Sequence, residues 1–293
     1  MSQLEFYQTD RGSAAMLISL ALAEDLRDIG DLTSDNLIDP ELTGEIDVVA
    51  RQSGVIAGQP IVEMLFQQLD HSVSWECQVP DGSVVEPGTV IAAVSGPVVS
   101  LLKGERTALN FLTQLSGVAT LTKEYVDLIA GTNALILDTR KTWPGFRHLE
   151  KYAVRAGGGT NHRMGLYDGV MIKDNHLAAW NSSGAGTIAD AIEELRGKVE
   201  EGITIEVEVD TLDQLRTALP AKPDYVLLDN MAPDLLREAV GIRNEEAPDV
   251  LLEASGGITK QTVRAIAETG VDRISIGALT HSVTGLDIGF DWN

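Results

Sequence analysis

The feature that most constrains this chain begins after Gly131, where short β-rich apolar runs start to alternate with helical stretches. Strands are expected at Ala134–Asp138, Gly169–Lys173, Thr204–Val209, Tyr225–Asp229, Val250–Ala254 and Arg273–Gly277, with a further short one around Thr160–Arg163. Helical patterns fall near 145–156, 187–199, 211–218, 233–244 and 259–269. Such alternation calls for a parallel sheet, and runs such as Tyr225-Val226-Leu227-Leu228 are apolar on both faces, as strands buried on both sides must be. A doubly wound open sheet and a barrel both satisfy this pattern. The polar residues decide between them, because strand after strand ends in one: Asp138 and Arg140, Lys173, Glu208, Asp229, Ser255, Gly277. In a β/α barrel those carboxyl ends share one mouth, where the active site forms. A complete eight-stranded barrel takes about 250 residues. Only 144 run from Ala134 to Gly277, so the α/β expectation is an incomplete barrel of six or seven strands.

The first part of the chain has a different rhythm. Residues 12–26 pattern as a helix, and 44–58 and 73–99 as strands broken by Pro80-Asp81-Gly82, Pro87-Gly88 and Gly96-Pro97. A helix is expected between them at Pro60–Leu69. Leu101–Ala130 then has helical periodicity, with Gly117 as the weak point where one helix could end and another begin. The domain expectation is an N-terminal α/β sandwich-like domain over 1–116, joined by the tail 280–293, and a barrel over 117–279.

Charge narrows the function. The chain carries 22 Lys+Arg against 44 Asp+Glu, a net charge of -22. The segment Asp138–His176 runs the other way, with seven basic and four acidic residues, +3, which leaves -25 for the rest. An acidic protein that gathers Arg140, Lys141, Arg147, Lys151, Arg155, Arg163 and Lys173 in one segment is expected to hold an anion there. Arg147, Lys151 and Arg155 lie four apart and suit a solvated helix face instead. The overall balance argues against nucleic acid and anionic membrane as partners, and it would suit a salty cytoplasm. Cys77 stands alone, so no internal disulfide exists and a reducing, cytoplasmic setting is expected. Arg11 and the apolar run Ala14–Ala23 imitate a secretory signal, but Glu5 and Asp10 spoil its positive start and the run fits a first helix better. No run reaches the ~20 apolar residues of a membrane span.

At the expected mouth, Arg140, Lys141, Arg163 and Lys173 would form a positive pocket. Arg grips carboxylate or phosphate through a planar fork and Lys adds a point charge, so a ligand with several carboxylates or a phosphorylated sugar fits. Gly157-Gly158-Gly159 would allow backbone to approach it, or is simply a flexible loop. Alternation in Ile205–Asp210 puts Glu206, Glu208 and Asp210 on one strand face, and at least one of these should reach the mouth. Asp229 is placed similarly. Two carboxylates beside a cationic pocket suit Mg²⁺. Ser255-Gly256-Gly257 and Ile276-Gly277-Ala278 end the last two strands, where barrels commonly bind phosphate.

These residues carry a family resemblance. Asp138-Thr139-Arg140-Lys141-Thr142, Pro144-Gly145, Leu149–Ala153, Gly157–Gly159, Asn161-His162-Arg163 and Ile172–His176 resemble the quinolinate phosphoribosyltransferase family. Gly104–Asn110, Glu206–Asp210, Leu228-Asp229-Asn230 and Glu253–Ile258 extend the likeness over essentially the whole chain. Trp143 and Phe146 are bulkier than the family's Thr and Leu at those places, which bears on the shape of their loop. The resemblance implies an N-terminal α/β domain, an incomplete barrel and a homodimer whose subunits complete each other's sites. It implies a pentosyltransferase of NAD biosynthesis that converts quinolinate and phosphoribosyl pyrophosphate, with Mg²⁺, to nicotinate mononucleotide, pyrophosphate and CO₂. By motif, Arg106, Thr139, Arg140, Lys141, His162, Arg163 and Lys173 would bind quinolinate or its neighbouring phosphates, with Lys141 and Lys173 also in the catalytic set. Glu208 and Asp229 would serve the ribose hydroxyls and the metal, directly or through water. The Ser255-Gly256-Gly257 and Ile276-Gly277-Ala278 turns would take the 5′-phosphate. Two alternatives stay open: a relative acting on another aromatic acid, and a Schiff-base aldolase using Lys141 or Lys173.

Overall fold

The computed structural model describes residues 4–182 and 186–292 and resolves into two compact units. The first comprises residues 1–124, 141–159 and 278–293, and the second 125–140 and 160–277. By compactness the chain passes from the first unit to the second at 124/125. The segment 141–159 clusters with the first unit.

In the first unit an antiparallel sheet is ordered Ile288–Trp292, Thr43–Ala50, Val90–Pro97, Ser74–Cys77. The C-terminal strand pairs with Thr43–Ala50, Ile46 opposite Trp292 and Ala50 opposite Ile288. Helices Gln8–Leu26 and Gln59–Leu69 accompany the sheet, and Ile61, Val62, Leu65 and Phe66 are buried to a man, as a helix facing a sheet requires. Asp81 accepts from the amide of Gly58 at 2.7 Å and so satisfies one of the free N–H groups at the start of the second helix.

The helix expected to break at Gly117 is continuous from Val98 to Leu128. Gly117 serves packing instead: a Cβ there would strike the carbonyl of Thr284 and lie 2.8 Å from Val283. The glycine triplet has a similar job. A Cβ on Gly157 would meet the carbonyl of Ala119 and, at 2.7 Å, Thr122, and one on Gly159 would meet Thr122 at 2.7 Å. The triplet lets its own chain approach the long helix.

The stripe Arg147, Lys151, Arg155 is not a solvated face. Lys151 is fully buried. Arg155 bonds Asp10 at 2.9 Å and lies 4.7 Å over the ring of Tyr7. Within helix Arg147–Ala156, Arg155 thus packs against the N-terminal segment, while Arg147 donates to Thr142 Oγ1 at 3.0 Å.

The second unit holds the six parallel strands, labelled in chain order β1 (Leu135–Leu137), β2 (Val170–Ile172), β3 (Ile205–Val209), β4 (Tyr225–Asp229), β5 (Leu251–Ser255) and β6 (Arg273–Ser275). Their order is β1-β6-β5-β4-β3-β2, so each strand from β2 to β5 neighbours its successor in sequence, and β6 closes onto β1. Every pairing is parallel. Where a seventh strand was expected at Thr160–Arg163, a single parallel bridge joins Thr160 to Leu137. The wall opens between that segment and β2, an incomplete barrel. β4 matches its expected bounds, and the other strands shift by one or two residues at their ends. Ile205, Val207, Val226, Leu228, Leu252, Ala254 and Ile274 are buried, the two-sided burial that a helix-flanked parallel strand needs.

Candidate active site at the barrel mouth

The carboxyl ends of the strands position the site. At the end of β1, Asp138 is fully buried and acts as a clamp: its carboxylate accepts from Asn161 Nδ2 at 2.6 Å and from the His162 amide at 2.9 Å. That bond ties the Asn161-His162-Arg163 loop to the top of β1. Arg140 follows two residues later and is exposed. Arg163 donates from Nη1 to the Gly169 carbonyl at 2.7 Å, and its buried Nε has no hydrogen-bond partner among the described residues. Burial and the charge of nearby Arg140 both hold its pKa down. Two guanidinium groups close enough to repel each other are suited to an anion.

Lys173 follows β2 and opens the helix Asp174–Asn181, its amide donating to His176 Nδ1 at 2.9 Å. Its ammonium is paired with Glu208 near the end of β3. Asp229 ends β4 and accepts from Asn230 Nδ2 at 2.7 Å. At the end of β5, Ser255 accepts from the Asn230 amide at 2.9 Å, and the turn continues through Gly256 and Gly257 at φ 95° and 58°. After β6, Ile276 donates to the Leu137 carbonyl at 2.9 Å, Gly277 ends the second unit, and Ala278 begins the helix Ala278–His281.

Three expected site residues belong to the first unit. There Arg106 lines a cavity of about 300 Å³ with Glu24, Asp25, Asn110 and Phe146. The Lys141 carbonyl accepts from Thr280 Oγ1 at 2.7 Å. Trp143 is 60% exposed, and Phe146 stacks on Phe111 with centroids 5.9 Å apart. Thr139 is half-buried in the second unit.

The stripe of β3 carboxylates divides by depth. Asp210 is exposed, Glu208 half-buried, and Glu206 only 3% exposed. Glu206 is joined by His162, expected among the substrate-binding residues, and by Glu253 and Arg273, to which sequence reasoning gave no role. His162 Nε2 lies 3.1 Å from Glu206 and 3.4 Å from Glu253, and Arg273 Nε lies 2.9 Å from Glu253. The Arg273 guanidinium also sits 3.9 Å over the ring of Tyr225. Glu206 is on β3 and Glu253 on β5, with β4 between them, so a ring touching both lies inside the curve of the sheet. The only hint in the sequence was the charge itself, in strands otherwise apolar.

Burial works against a charged His162 ring, but Glu206 and Glu253 outweigh it and draw its pKa up to about 9. The Arg163 amide points the other way, donating to Nδ1 at 2.7 Å, a contact that an imidazolium could not accept. That short contact is the stricter constraint and fixes a neutral ring with its proton on Nε2. Burial and then the charge of Glu253 push Glu206 above the usual carboxyl range. For Glu253 burial also acts upward, but His162, Arg273 and Ser275 overcome it and hold it low.

Fold and site together define the class: an incomplete α/β barrel with arginines and acids gathered at the carboxyl ends of its strands. Residues 118–291 match the family described as quinolinate phosphoribosyl transferase, C-terminal domain, and residues 31–116 match the N-terminal domain of the same family. A probable nicotinate-nucleotide pyrophosphorylase (carboxylating) of Bacillus subtilis (strain 168) is 46% identical over 268 residues, spanning 91% of this chain and 90% of the relative. The nicotinate-nucleotide pyrophosphorylase (carboxylating) of Mycobacterium leprae (strain TN) is 42% identical over 276 residues, 94% and 95% of the two chains. Among solved structures, the nicotinate-nucleotide pyrophosphorylase from Francisella tularensis superposes with a TM-score of 0.89 at 37% identity over 100% of both chains. This chain belongs to the quinolinate phosphoribosyltransferase family and is a pentosyltransferase.

Proposed function

We propose that the chain transfers the phosphoribosyl group of phosphoribosyl pyrophosphate to quinolinate with loss of CO₂, giving nicotinate mononucleotide and pyrophosphate for NAD synthesis. The observation that carries this reading is the Arg140–Arg163 pair at the barrel mouth, which suits a ring bearing two carboxylates. Held by those cations, the ring nitrogen can be aimed at C1 of the sugar. Departure of pyrophosphate builds positive charge on that carbon, which Glu208 and Asp229 are suited to stabilise. Lys173 would meet developing negative charge, on the leaving group or on the departing carboxylate. Ser255-Gly256-Gly257 and Ile276-Gly277-Ala278 would take the 5′-phosphate through backbone N–H groups. Thr139, Lys141 and Arg106 complete the substrate-binding set by motif.

Glu208 and Asp229 end adjacent strands and offer hard carboxylate oxygens, a donor set that fits Mg²⁺ directly or through water. When bound, the ion would neutralise phosphate charge. Lys173 is committed to an ion pair with Glu208, which speaks against its use as a Schiff-base nucleophile.

A homodimer with shared sites suits the surface of the first unit. Met16 and Leu20, one turn apart on helix Gln8–Leu26, are 70% and 65% exposed, and Ile29, Leu32 and Leu37 are also exposed. The cytoplasm is the proposed location; among the described residues no helix is long and apolar enough to cross a membrane. The test is a quinolinate-dependent assay for nicotinate mononucleotide with and without Mg²⁺. Product that requires quinolinate and phosphoribosyl pyrophosphate supports the reading, and none under any metal condition overturns it.

A further inference from the structure

Barrel interiors are normally filled by branched apolar side chains. This one holds two carboxylates, an arginine and an imidazole below the mouth, with Glu253 fully buried. Withdrawing ions from water costs several kcal/mol each, and well-packed apolar residues of similar volume often serve stability as well or better. A buried cluster of this kind therefore asks for a role besides holding the barrel together.

The contacts form a chain with a direction. Arg273 stacks on Tyr225 and holds Glu253 through Nε. Glu253 and Glu206 together face His162 Nε2. The opposite ring nitrogen, Nδ1, receives the Arg163 amide at 2.7 Å, while the His162 amide is held by Asp138. Nδ1 is thus held by the Arg163 amide, and Nε2 stands within ion-pair distance of two carboxylates. What reaches the mouth is the backbone that the ring fixes, and on that backbone stands Arg163.

We propose that Glu206, Glu253 and Arg273 are positioning residues for the aromatic-acid site, acting through the His162 ring to set the backbone and side-chain direction of Arg163. The role rests on the function given above. A rotated ring would lose the amide at Nδ1 and free the Arg163 backbone. The Arg163 fork would then meet a planar carboxylate out of register, and a bidentate contact tolerates little misalignment.

A divalent metal is the competing occupant, since ligand atoms of His162, Glu206 and Glu253 all lie within 4.8 Å of one another. Arg273 argues against it. Its guanidinium stands 2.9 Å from Glu253 and sets a fixed positive charge against the carboxylate that would have to bind the ion. His162 Nε2 lies within ion-pair distance of both carboxylates, a placement that suits a proton on that nitrogen.

The test uses full-length protein and the near-isosteric variants Glu206→Gln and Glu253→Gln, with Arg273→Met to remove the charge and Arg273→Lys as its conservative rescue. The expected result is a quinolinate KM raised about tenfold in both glutamine variants, equal to ~1.4 kcal/mol. KM for phosphoribosyl pyrophosphate should be unchanged and kcat altered by less than about threefold, the signature of lost ground-state positioning. Arg273→Lys should restore more of the quinolinate KM than Arg273→Met. Independently of any variant's folding, ¹⁵N-histidine spectra of the wild type should show one ring, absent in His162→Asn, protonated on Nε2 with Nδ1 an acceptor. An inactive wild type overturns the function and this role with it. An active wild type whose glutamine variants keep their quinolinate KM overturns this role alone. The role also falls if equilibrium dialysis shows one Zn²⁺ bound per chain and lost in Glu253→Gln, or if the Nδ1-protonated tautomer is found.

Discussion

Gly256→Ala tests whether the turn after β5 is built as described. Gly256 sits at φ 95°, beyond the left-handed conformation that alanine accepts at a cost of roughly 1–2 kcal/mol. A Cβ there would strike Asn230 Oδ1 and lie 2.6 Å from Asn230 Cγ and 3.0 Å from its backbone nitrogen. The side chain of Asn230 can rotate away, but its backbone cannot retreat freely: its amide donates to Ser255 at 2.9 Å and its own φ is 54°. Adding a modest backbone shift to the conformational cost gives ~2–3 kcal/mol in all. At ~2–4 °C per kcal/mol for domains of 150–250 residues, Tm should fall by roughly 4–12 °C. Displacement of Asn230 would also disturb Asp229, which it bonds at 2.7 Å. KM for phosphoribosyl pyrophosphate should therefore rise, while the Kd for quinolinate alone stays near its wild-type value. Gly257→Ala is the control, because its added Cβ meets nothing within 4 Å and its φ of 58° is one that alanine tolerates better. Calorimetry and initial-rate kinetics on both variants decide the matter. Equal Tm and equal KM in the two would refute the packing account of the turn.

Arg140→Lys keeps the charge but loses the fork, so the quinolinate KM should rise by an amount worth about 1.5–3 kcal/mol, and unchanged quinolinate kinetics would remove Arg140 from the site. Glu206 has a pKa raised first by burial and then by Glu253, so its ionisation opposes folding. That penalty is absent below the unfolded carboxyl pKa and grows as pH rises toward the folded one, so the Tm of Glu206→Gln relative to wild type should increase above about pH 4.5. A pH-independent difference would mean that Glu206 keeps an ordinary pKa. For the shared-site dimer, mixing Arg106→Ala subunits with Glu208→Ala subunits, each inactive alone, should restore toward about a quarter of wild-type activity per subunit, since half of randomly reassorted dimers hold one intact site. A dead mixture after proven exchange places Arg106 in its own chain's chemistry or outside the chemistry altogether.

The sequence by itself determined the periodic parts of this protein. Tyr225–Asp229 is a strand within its expected bounds, because four successive residues that are apolar on both faces have little alternative in a helix-flanked sheet. The polar residues closing those strands, Lys173, Glu208 and Asp229, could be assigned to one mouth because parallel strands in a barrel all point the same way. Local signals misled where a residue's role was set by a distant partner. Gly117 reads as a helix break, yet its missing side chain admits the backbone of Thr284, far along the chain. Gly157–Gly159 reads as a ligand-hugging loop, and its missing side chains admit Ala119 and Thr122 instead. Lys151 reads as solvated because lysine rarely goes under; burial depends on what covers a face, which no spacing records. Glu206 and Glu208 are two residues apart on one strand face, so periodicity cannot separate them. Only the curvature of the sheet, which brings His162 and Glu253 across β4, sends the deeper carboxylate into a buried network and leaves the other beside Lys173 near the strand end.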